Sequence, residues 1–365
     1  VCARLEHGDE GVRQAGVQAL AQVAERGDAR ALAGACARLE HPDDGVRWAA
    51  VRALAQVAER GDRRAIAAVS ARLEHADEGV RLAAVRALAH VAERGDERAI
   101  AEASARLEHA EEGVRRAAAH GLAQVAEADD SKALAAMGAR LEHGDDAVRR
   151  AAARALALVA GKGSAGAIAE VTARLEHKDG GVRAAAVRAL THVADKGDGL
   201  AITAVCARLE HGEPTVRQAA VQGLAEVAAR GDGHAISEAC VRLEHAEDGV
   251  KWAAMHALAQ VAEKGDERAI AEVSARLEHG DEGVRWAAVR ALALVAEKGD
   301  EKAIAAVSTR LEHGHDDVRW PAARAMAEVA HAGDARAILA VSARLDHGDG
   351  GVRRAAVHAM NRVLH

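Results

Sequence analysis

Residues 71–104 read ARLEHADEGVRLAAVRALAHVAERGDERAIAEAS, and this stretch recurs with small variations along the whole chain. Its Leu-Glu-His tripeptide returns every 34 residues without an insertion, and the last of the eleven copies is Leu-Asp-His. Self-similarity at a fixed period of roughly 20–50 residues is typical of solenoids and other repeat architectures. The tripeptide ends at His7, His41, His75, His109, His143, His177, His211, His245, His279, His313 and His347.

The spacing of apolar residues predicts two helices in each repeat. In residues 62–73 and again from about Val80 to Val91, apolar side chains recur at steps of three and four, which is the period of an amphipathic helix. Gly61 and Asp62 stand where one helix ends and the next begins, as a left-handed glycine and an N-cap. Asp77 is a second N-cap candidate, just before the second helix.

The composition favours thin layers of closely packed helices. Half of the 365 residues are hydrophobic, yet the chain has no Phe, no Tyr and four Trp, so Ala, Val, Leu and Ile must fill the core. One hairpin of 34 residues cannot bury its own apolar side, whereas stacked copies share a continuous core. We therefore expect an all-α fold, a superhelical α-solenoid of about eleven two-helix repeats. Residues 1–365 are predicted to form one continuous array within a longer chain.

The stretch Asp281–Leu292, which reads DEGVRWAAVRAL, resembles the second helix of HEAT-like repeats of the phycobilisome-lyase type. The period here is a few residues longer than is common in that class. The resemblance implies that the second helices line a concave face, and that the arginine after each Val joins a polar ladder between neighbouring repeats. It also implies a functional range that includes bilin lyases, cofactor-assembly chaperones and scaffolds.

Charge and cysteine usage restrict the partners and the compartment. The formal net charge is −7, which disfavours nucleic acid as a partner, and no apolar run is long enough for a membrane span. All the cysteines fall at one register, where other repeats have small residues such as Ser70 and Thr172, so we interpret them as structural thiols. They favour a reducing, intracellular compartment. These cysteines are Cys2, Cys36, Cys206 and Cys240.

The recurring Glu-His pair is the most conspicuous candidate for chemistry. A shared metal needs its ligands at roughly 2 Å from the ion, while one His per repeat places successive imidazoles about one helix layer apart. We therefore expect each His to lie at the carbonyl end of a helix, where a donor or a partial positive charge is favourable. No nucleophile, phosphate-binding or dinucleotide motif is present. The sequence predicts a non-enzyme with no cofactor and no metal.

The positions that vary between copies predict a surface. On the second helix they recur every four residues, so they share one helix face, and many are Arg, Lys or His. All four Trp stand at the first of these positions. Three of them occupy consecutive repeats, and each is followed one turn later by a basic residue. The candidate partner-binding residues are Trp252, Trp286, Trp320, His256, Arg290 and Arg324.

Two interpretations of this surface remain open. Exposed Trp beside Arg is typical of a binding hot spot, but a Trp can also cover an Ala-rich surface or pack on Arg through a cation–π contact. The basic positions can form a basic face between acidic edges, or an ordinary solvated helix face. Trp320 precedes Pro321, and a proline inside a helix removes a hydrogen bond. We expect a kink or a late helix start there.

These observations predict a scaffold or adaptor that binds an acidic or extended protein segment, as a subunit of a larger assembly. RNA is an alternative partner, since bases stack on Trp and phosphates pair with Arg. A bilin lyase or cofactor-assembly chaperone is a third possibility, and it comes from the resemblance alone.

Overall fold

A computed structural model describes residues 2–364, and twenty-one α-helices and no strand occur in that range. Short helices of 8–10 residues alternate with long helices of 14 or 15 residues, so the all-α tandem repeat of two helices is confirmed. The chain divides into two compact units, Val1–Ala194 and Asp195–His365. That all repeats form one continuous array stays a prediction.

The first unit holds six long and five short helices. The long helices carry odd numbers and the short ones even numbers. They are α1 (Glu10–Val23), α2 (Ala29–Arg38), α3 (Asp44–Val57), α4 (Arg63–Ala71), α5 (Glu78–Val91), α6 (Glu97–Ala105), α7 (Glu112–Val125), α8 (Ser131–Arg140), α9 (Asp146–Ala160), α10 (Ala165–Ala173) and α11 (Gly180–Val193).

The second unit holds five long and five short helices in the same alternation. They are α12 (Gly199–Ala207), α13 (Pro214–Val227), α14 (Gly233–Val241), α15 (Asp248–Val261), α16 (Glu267–Ala275), α17 (Glu282–Val295), α18 (Glu301–Arg310), α19 (Asp316–Val329), α20 (Ala335–Ser342) and α21 (Gly350–Leu364).

Aspartates cap the starts of most of the helices. The Asp62 carboxylate accepts hydrogen bonds from the N–H groups of Arg64 and Ala65, at the start of α4. The Asp77 carboxylate accepts one from the N–H of Val80, at 3.0 Å. Both predicted N-caps are confirmed. An N-cap of this kind stabilises a helix by about 1 kcal/mol.

The core of each unit lies between successive long helices and against the short ones. Long helix packs on long helix, as α5 does on α7 and α17 on α19, while each short helix packs on the long helix that follows it. Ala84 and Leu88 are fully buried in the first unit, as are Ala288 and Leu292 in the second. Small alanines let the helices approach, and each buried Leu stabilises the fold by roughly 1.5–3 kcal/mol.

The cysteine register belongs to this core. Cys36, Cys206 and Cys240 are buried, and Cys2 is half-buried. Ser70 and Thr172 fill the same register in other repeats and are also buried. The prediction that this position takes a small, buried residue is therefore confirmed. Burial raises the pKa of Cys206 and of Cys240 to about 12, so both stay protonated thiols at neutral pH.

A backbone hydrogen bond joins neighbouring repeats at each turn glycine. The N–H of Gly61 donates to the carbonyl of Val91 at 2.9 Å, and in the second unit Gly265 donates to Val295 at 2.8 Å. Gly61 has a φ of +80° and Gly265 a φ of +78°. This left-handed conformation is costly for residues that carry a Cβ. The glycine thus lets the turn direct its N–H at the end of the next long helix.

The helix around Pro321 differs from the expectation. α19 begins at Asp316, the same register as Glu282 in α17, and it continues through Pro321 without a break. The predicted late start is wrong. The Arg319 guanidinium donates to the carbonyl of His313 and pairs with Asp316, which holds the first turn in place.

We expect Gly61→Ala to destabilise the first unit by about 1–2 kcal/mol, because an alanine at φ +80° is strained although no atom lies closer than 3.9 Å to the added Cβ. Urea denaturation followed by circular dichroism measures the change. Gly144→Ala is the matched control, since its Cβ meets nothing within 4 Å and its φ is not left-handed. Equal midpoints for the two variants would contradict the prediction.

Candidate functional site

The Leu-Glu-His tag is a structural element that links successive repeats. Its leucine is fully buried, as Leu73 is. Its glutamate pairs with the arginine that precedes the tag of the next repeat. Glu74, for example, lies 2.9 Å from Arg106. In the second unit the same pair joins Glu244 to Arg276 at 3.0 Å. The guanidinium groups are mostly buried, so these pairs are shielded from water more than ordinary surface ion pairs.

The tag histidine acts as a hydrogen-bond acceptor. Nδ1 of His75 accepts the backbone N–H of Asp77 at 3.0 Å, and His279 accepts that of Asp281 at 3.1 Å. His75 and His279 follow the last residue of a short helical turn, so the expected place at the carbonyl end of a helix is confirmed, while the acceptor role of Nδ1 was not predicted. The sequence places the ring near the end of a short helix, but the ring turns toward the start of the next long helix and fixes the turn between them.

The arginine after each Val closes the same turn. Nη1 of Arg47 donates to the carbonyls of His41 and Pro42, at 2.6 and 2.8 Å. The guanidinium also lies against Gly79 of the next repeat. Its positive charge contributes to lowering the pKa of Asp77, after the hydrogen bond that this carboxylate accepts from Val80. This contact between repeats agrees with the ladder that the resemblance implied.

We expect Arg285→Met to lower the stability of the second unit by about 1–3 kcal/mol, because Arg285 is buried and donates to the carbonyls of His279 and Gly280. Arg285→Lys should cost less, since Lys251 occupies this register one repeat earlier and donates to the corresponding carbonyls.

Urea denaturation measures the loss, and hydrogen exchange in α17 localises it, since repeat arrays unfold in segments. Arg290→Met, on the exposed side of the same helix, is the control. A loss of similar size in both variants would count against a specific role for Arg285.

The three consecutive Trp of the second unit lie exposed at one register of α15, α17 and α19. Trp252, Trp286 and Trp320 keep 52%, 45% and 42% of their surface accessible. Large aromatic side chains are usually among the most buried in a protein, because each can bury 150–250 Å². We call this set the Trp row. Trp48 occupies the same register in the first unit and is 47% exposed.

The Trp rings contact basic or imidazole side chains, in two different ways. Trp252 contacts His256 one turn later, with ring centroids 4.0 Å apart and ring planes tilted by 51°. The guanidinium of Arg290 lies 5.5 Å from the centre of the Trp286 ring. Trp320 meets His358 of α21 edge-on at 5.1 Å. All three contacts hold the rings in defined positions without covering them.

Five of the six candidate residues lie in these ring contacts, and one contacting residue, His358, was not among the candidates. Within residues 2–364, Arg324 takes part in no ring contact. His358 stands in the place expected for it beside Trp320. A similar contact between repeats occurs in the first unit, where Arg86 lies 4.4 Å above Trp48. The variable positions of the second helix contained the signal for these contacts. Arg86 and His358 lie in the repeat after Trp48 and Trp320, at the register one turn beyond the Trp.

One acidic residue at the start of α15 and one at the start of α19 have basic partners. Asp248 pairs with Lys251 at 3.0 Å, and Asp316 pairs with Arg319 at 2.8 Å. Both cations are buried. These two carboxylates are paired, while the exposed Arg290 and Arg324 add positive charge beside the Trp row.

We expect the fluorescence of Trp320 to fall as the pH drops below 6.5, because a protonated imidazole beside an indole quenches it. Burial, followed by the positive charge of Arg362, lowers the pKa of His358 from its ordinary value of 6.5. Nε of Arg362 also donates to Nε2 of His358 at 3.0 Å, which requires the neutral ring. Protonation therefore occurs only below that pH.

A variant with Trp320 as its sole tryptophan reports this transition directly. His358→Gln should abolish it, and a variant with Trp286 alone, which contacts Arg290, should give a flat profile between pH 5 and 8. A midpoint above pH 6.5 would contradict the assignment.

Within the described part of the chain, no group of three or more His, Cys, Asp or Glu side chains is placed to hold a metal ion.

Among residues 2–364, no helix is both long and apolar enough to cross a bilayer.

A family model described as HEAT repeats matches residues 1–89, 66–157, 134–225, 202–293 and 270–361, which together span almost the whole chain. The match is to HEAT repeats as a class, so the phycobilisome-lyase type stays a prediction. No curated protein matches the sequence.

Several solved repeat structures are similar to this chain at low identity. An engineered protein is 18% identical, with 100% of this chain and 98% of that one covered and a TM-score of 0.27. A designed armadillo repeat protein is 16% identical, with 64% and 100% covered and a TM-score of 0.27. The karyopherin Kap121p, solved bound to the extreme C-terminus of the protein phosphatase Cdc14p, is 13% identical, with 98% and 42% covered and a TM-score of 0.36. Likeness at this level carries no information on what the chain binds.

Proposed function

We propose that this chain, which belongs to the HEAT-repeat family, is a non-catalytic scaffold that binds an extended acidic segment of a partner protein along its second unit. The binding surface is the Trp row together with His256, Arg290 and Arg324.

The exposure of three Trp at one register of consecutive repeats is the observation that carries this proposal. Trp and Arg are the side chains most enriched in binding hot spots. Moreover, the rings are already positioned by His256, Arg290 and His358, so little side-chain freedom remains to be lost on binding. A merely covering role would not need rings that stay about half exposed.

The geometry of the row supports an extended occupant. Packed helices lie roughly 8–10 Å apart, and an extended segment in the polyproline II conformation rises about 3.1 Å per residue, with three residues per turn. One repeat therefore corresponds to about three residues of the bound segment. Apolar side chains at every third position would meet successive Trp rings, and acidic side chains between them would meet Arg290 and Arg324.

A fluorescein-labelled peptide that repeats Asp-Glu-Leu tests this directly, with its affinity measured by fluorescence anisotropy. We expect Trp252→Ala, Trp286→Ala and Trp320→Ala together to weaken binding by about 10-fold or more. Trp48→Ala is the matched control, since it removes an equally exposed Trp outside the row and should leave the affinity unchanged. Circular dichroism confirms that each variant keeps its helices.

Other outcomes contradict the proposal. Equal affinity for the triple variant and the control would make the row structural, and absence of peptide binding would exclude an acidic segment as the partner. A labelled oligouridine that binds more tightly than the peptide, with a steep salt dependence, would favour RNA instead.

A further inference from the structure

The first unit contains a groove of its own on the exposed side of its long helices. It has a cavity volume of about 420 Å³ and is lined by α7, α9 and α11. This volume lies within the range of about 300–1,000 Å³ that is typical of small-molecule sites. The residues that define it here are Glu112, Arg116, Ala119, Arg154, Leu158 and His192.

The groove exists because the chain departs from its own repeat at one register. Seven of the eleven repeats have Val at this position, but Ala119 and Ala153 replace it in two consecutive repeats. Ala119 lines the groove, and Ala153 lines a smaller cavity beside it. Each replacement removes two methyl groups between neighbouring long helices. The valines stand at Val17, Val51, Val85, Val187, Val221, Val289 and Val357.

One wall and the floor of the groove are apolar. Ala119 and Ala151 are buried beneath it. Leu158, which replaces a Gln or His of the preceding repeats, is 45% exposed at its rim. An exposed leucine above two buried alanines offers a surface for an apolar body of a few rings.

The other walls carry excess positive charge. Arg116, Arg150 and Arg154 line the groove, and Glu112 is its one acidic lining residue. Arg150 also pairs with Asp146, which is not part of the lining, at 3.3 Å. Glu112 lies 3.4 Å from Arg154 and 3.6 Å from Arg116. Both distances are long for charge-assisted hydrogen bonds, and all of these side chains are about half exposed or more. The guanidinium groups therefore keep donors available for a second anion.

His192 is a neutral member of the groove. It stands at the edge of the groove on α11. Burial, followed by the charges of Arg154 and Lys162, lowers its pKa from the ordinary value, so the ring is neutral at pH 7. The excess charge comes from the arginines alone.

We propose that this groove binds a small organic anion, with its apolar body on Ala119, Ala151 and Leu158 and its acidic group at Arg154 and Arg116. The site lies wholly within the first unit. It is independent of the Trp row in the second unit and does not rest on the scaffold function proposed above.

Titration of the full chain with 8-anilinonaphthalene-1-sulfonate tests this site, because the probe joins apolar rings to one anionic group and becomes fluorescent in an apolar cavity. We expect saturable binding at one site. Ala119→Val should weaken it by about 10-fold, since it refills the groove with the residue that most repeats already have. Arg154→Gln should weaken it as well, whereas Glu112→Gln should strengthen it by removing the competing carboxylate.

Ala323→Val is the matched control, because it makes the same change at the same register in the second unit and should leave binding unchanged. Far-UV circular dichroism checks that all four variants fold. The uncharged analogue N-phenyl-1-naphthylamine should bind more weakly than the sulfonate.

Three results would overturn the proposal. The first is no fluorescence increase, and the second is an equal effect of Ala119→Val and Ala323→Val. The third is binding of the uncharged analogue as tight as that of the sulfonate, with no response to Arg154→Gln or Glu112→Gln, which would leave an apolar cleft without anion recognition.

Discussion

Burial of each long helix against the long helix of the next repeat is the constraint on which both units depend. Chains shorter than roughly 40 residues rarely fold alone. A hairpin of 34 residues therefore needs a neighbour to cover its apolar side. Fully buried alanines such as Ala84 and Ala288 permit that approach. The turn glycines, the Glu–Arg pairs of the tag and the buried arginines then connect one repeat to the next through backbone and side-chain contacts.

The same constraint determines where the chain can differ between copies. Positions between long helices tolerate few changes, because packed interiors respond to the loss or gain of a single methylene. Variation is therefore concentrated on the exposed side of the long helices, where the Trp row adds large side chains in the second unit. The groove of the first unit arises in the opposite way, from Ala119 and Ala153 at a position that is usually Val. The Trp row thus comes from larger side chains on the surface, and the groove comes from smaller side chains between the helices.

The parts of the fold that sequence reasoning predicted correctly are local. Asp62 and Asp77 cap the helices that their positions indicated, because an N-cap bonds to an N–H only two or three residues away. The place of the tag histidine at a helix end was also predicted correctly, but that place does not reveal that Nδ1 accepts a hydrogen bond from the next turn. The unbroken helix at Pro321 was missed, because the contacts of Arg319 hold its first turn in place.

The sequence by itself determined the 34-residue repeat, the two helices in each copy, the capping residues and the buried register, because helical periodicity and capping act within a few neighbouring residues. It also placed the three Trp on one exposed helix face. Only the tertiary structure decided that Trp320 contacts His358, and that Ala119, Leu158 and Arg154 enclose a groove with His192. Those arrangements depend on distances between side chains on different helices, and the spacing and rotation of packed helices are set by all of their contacts together.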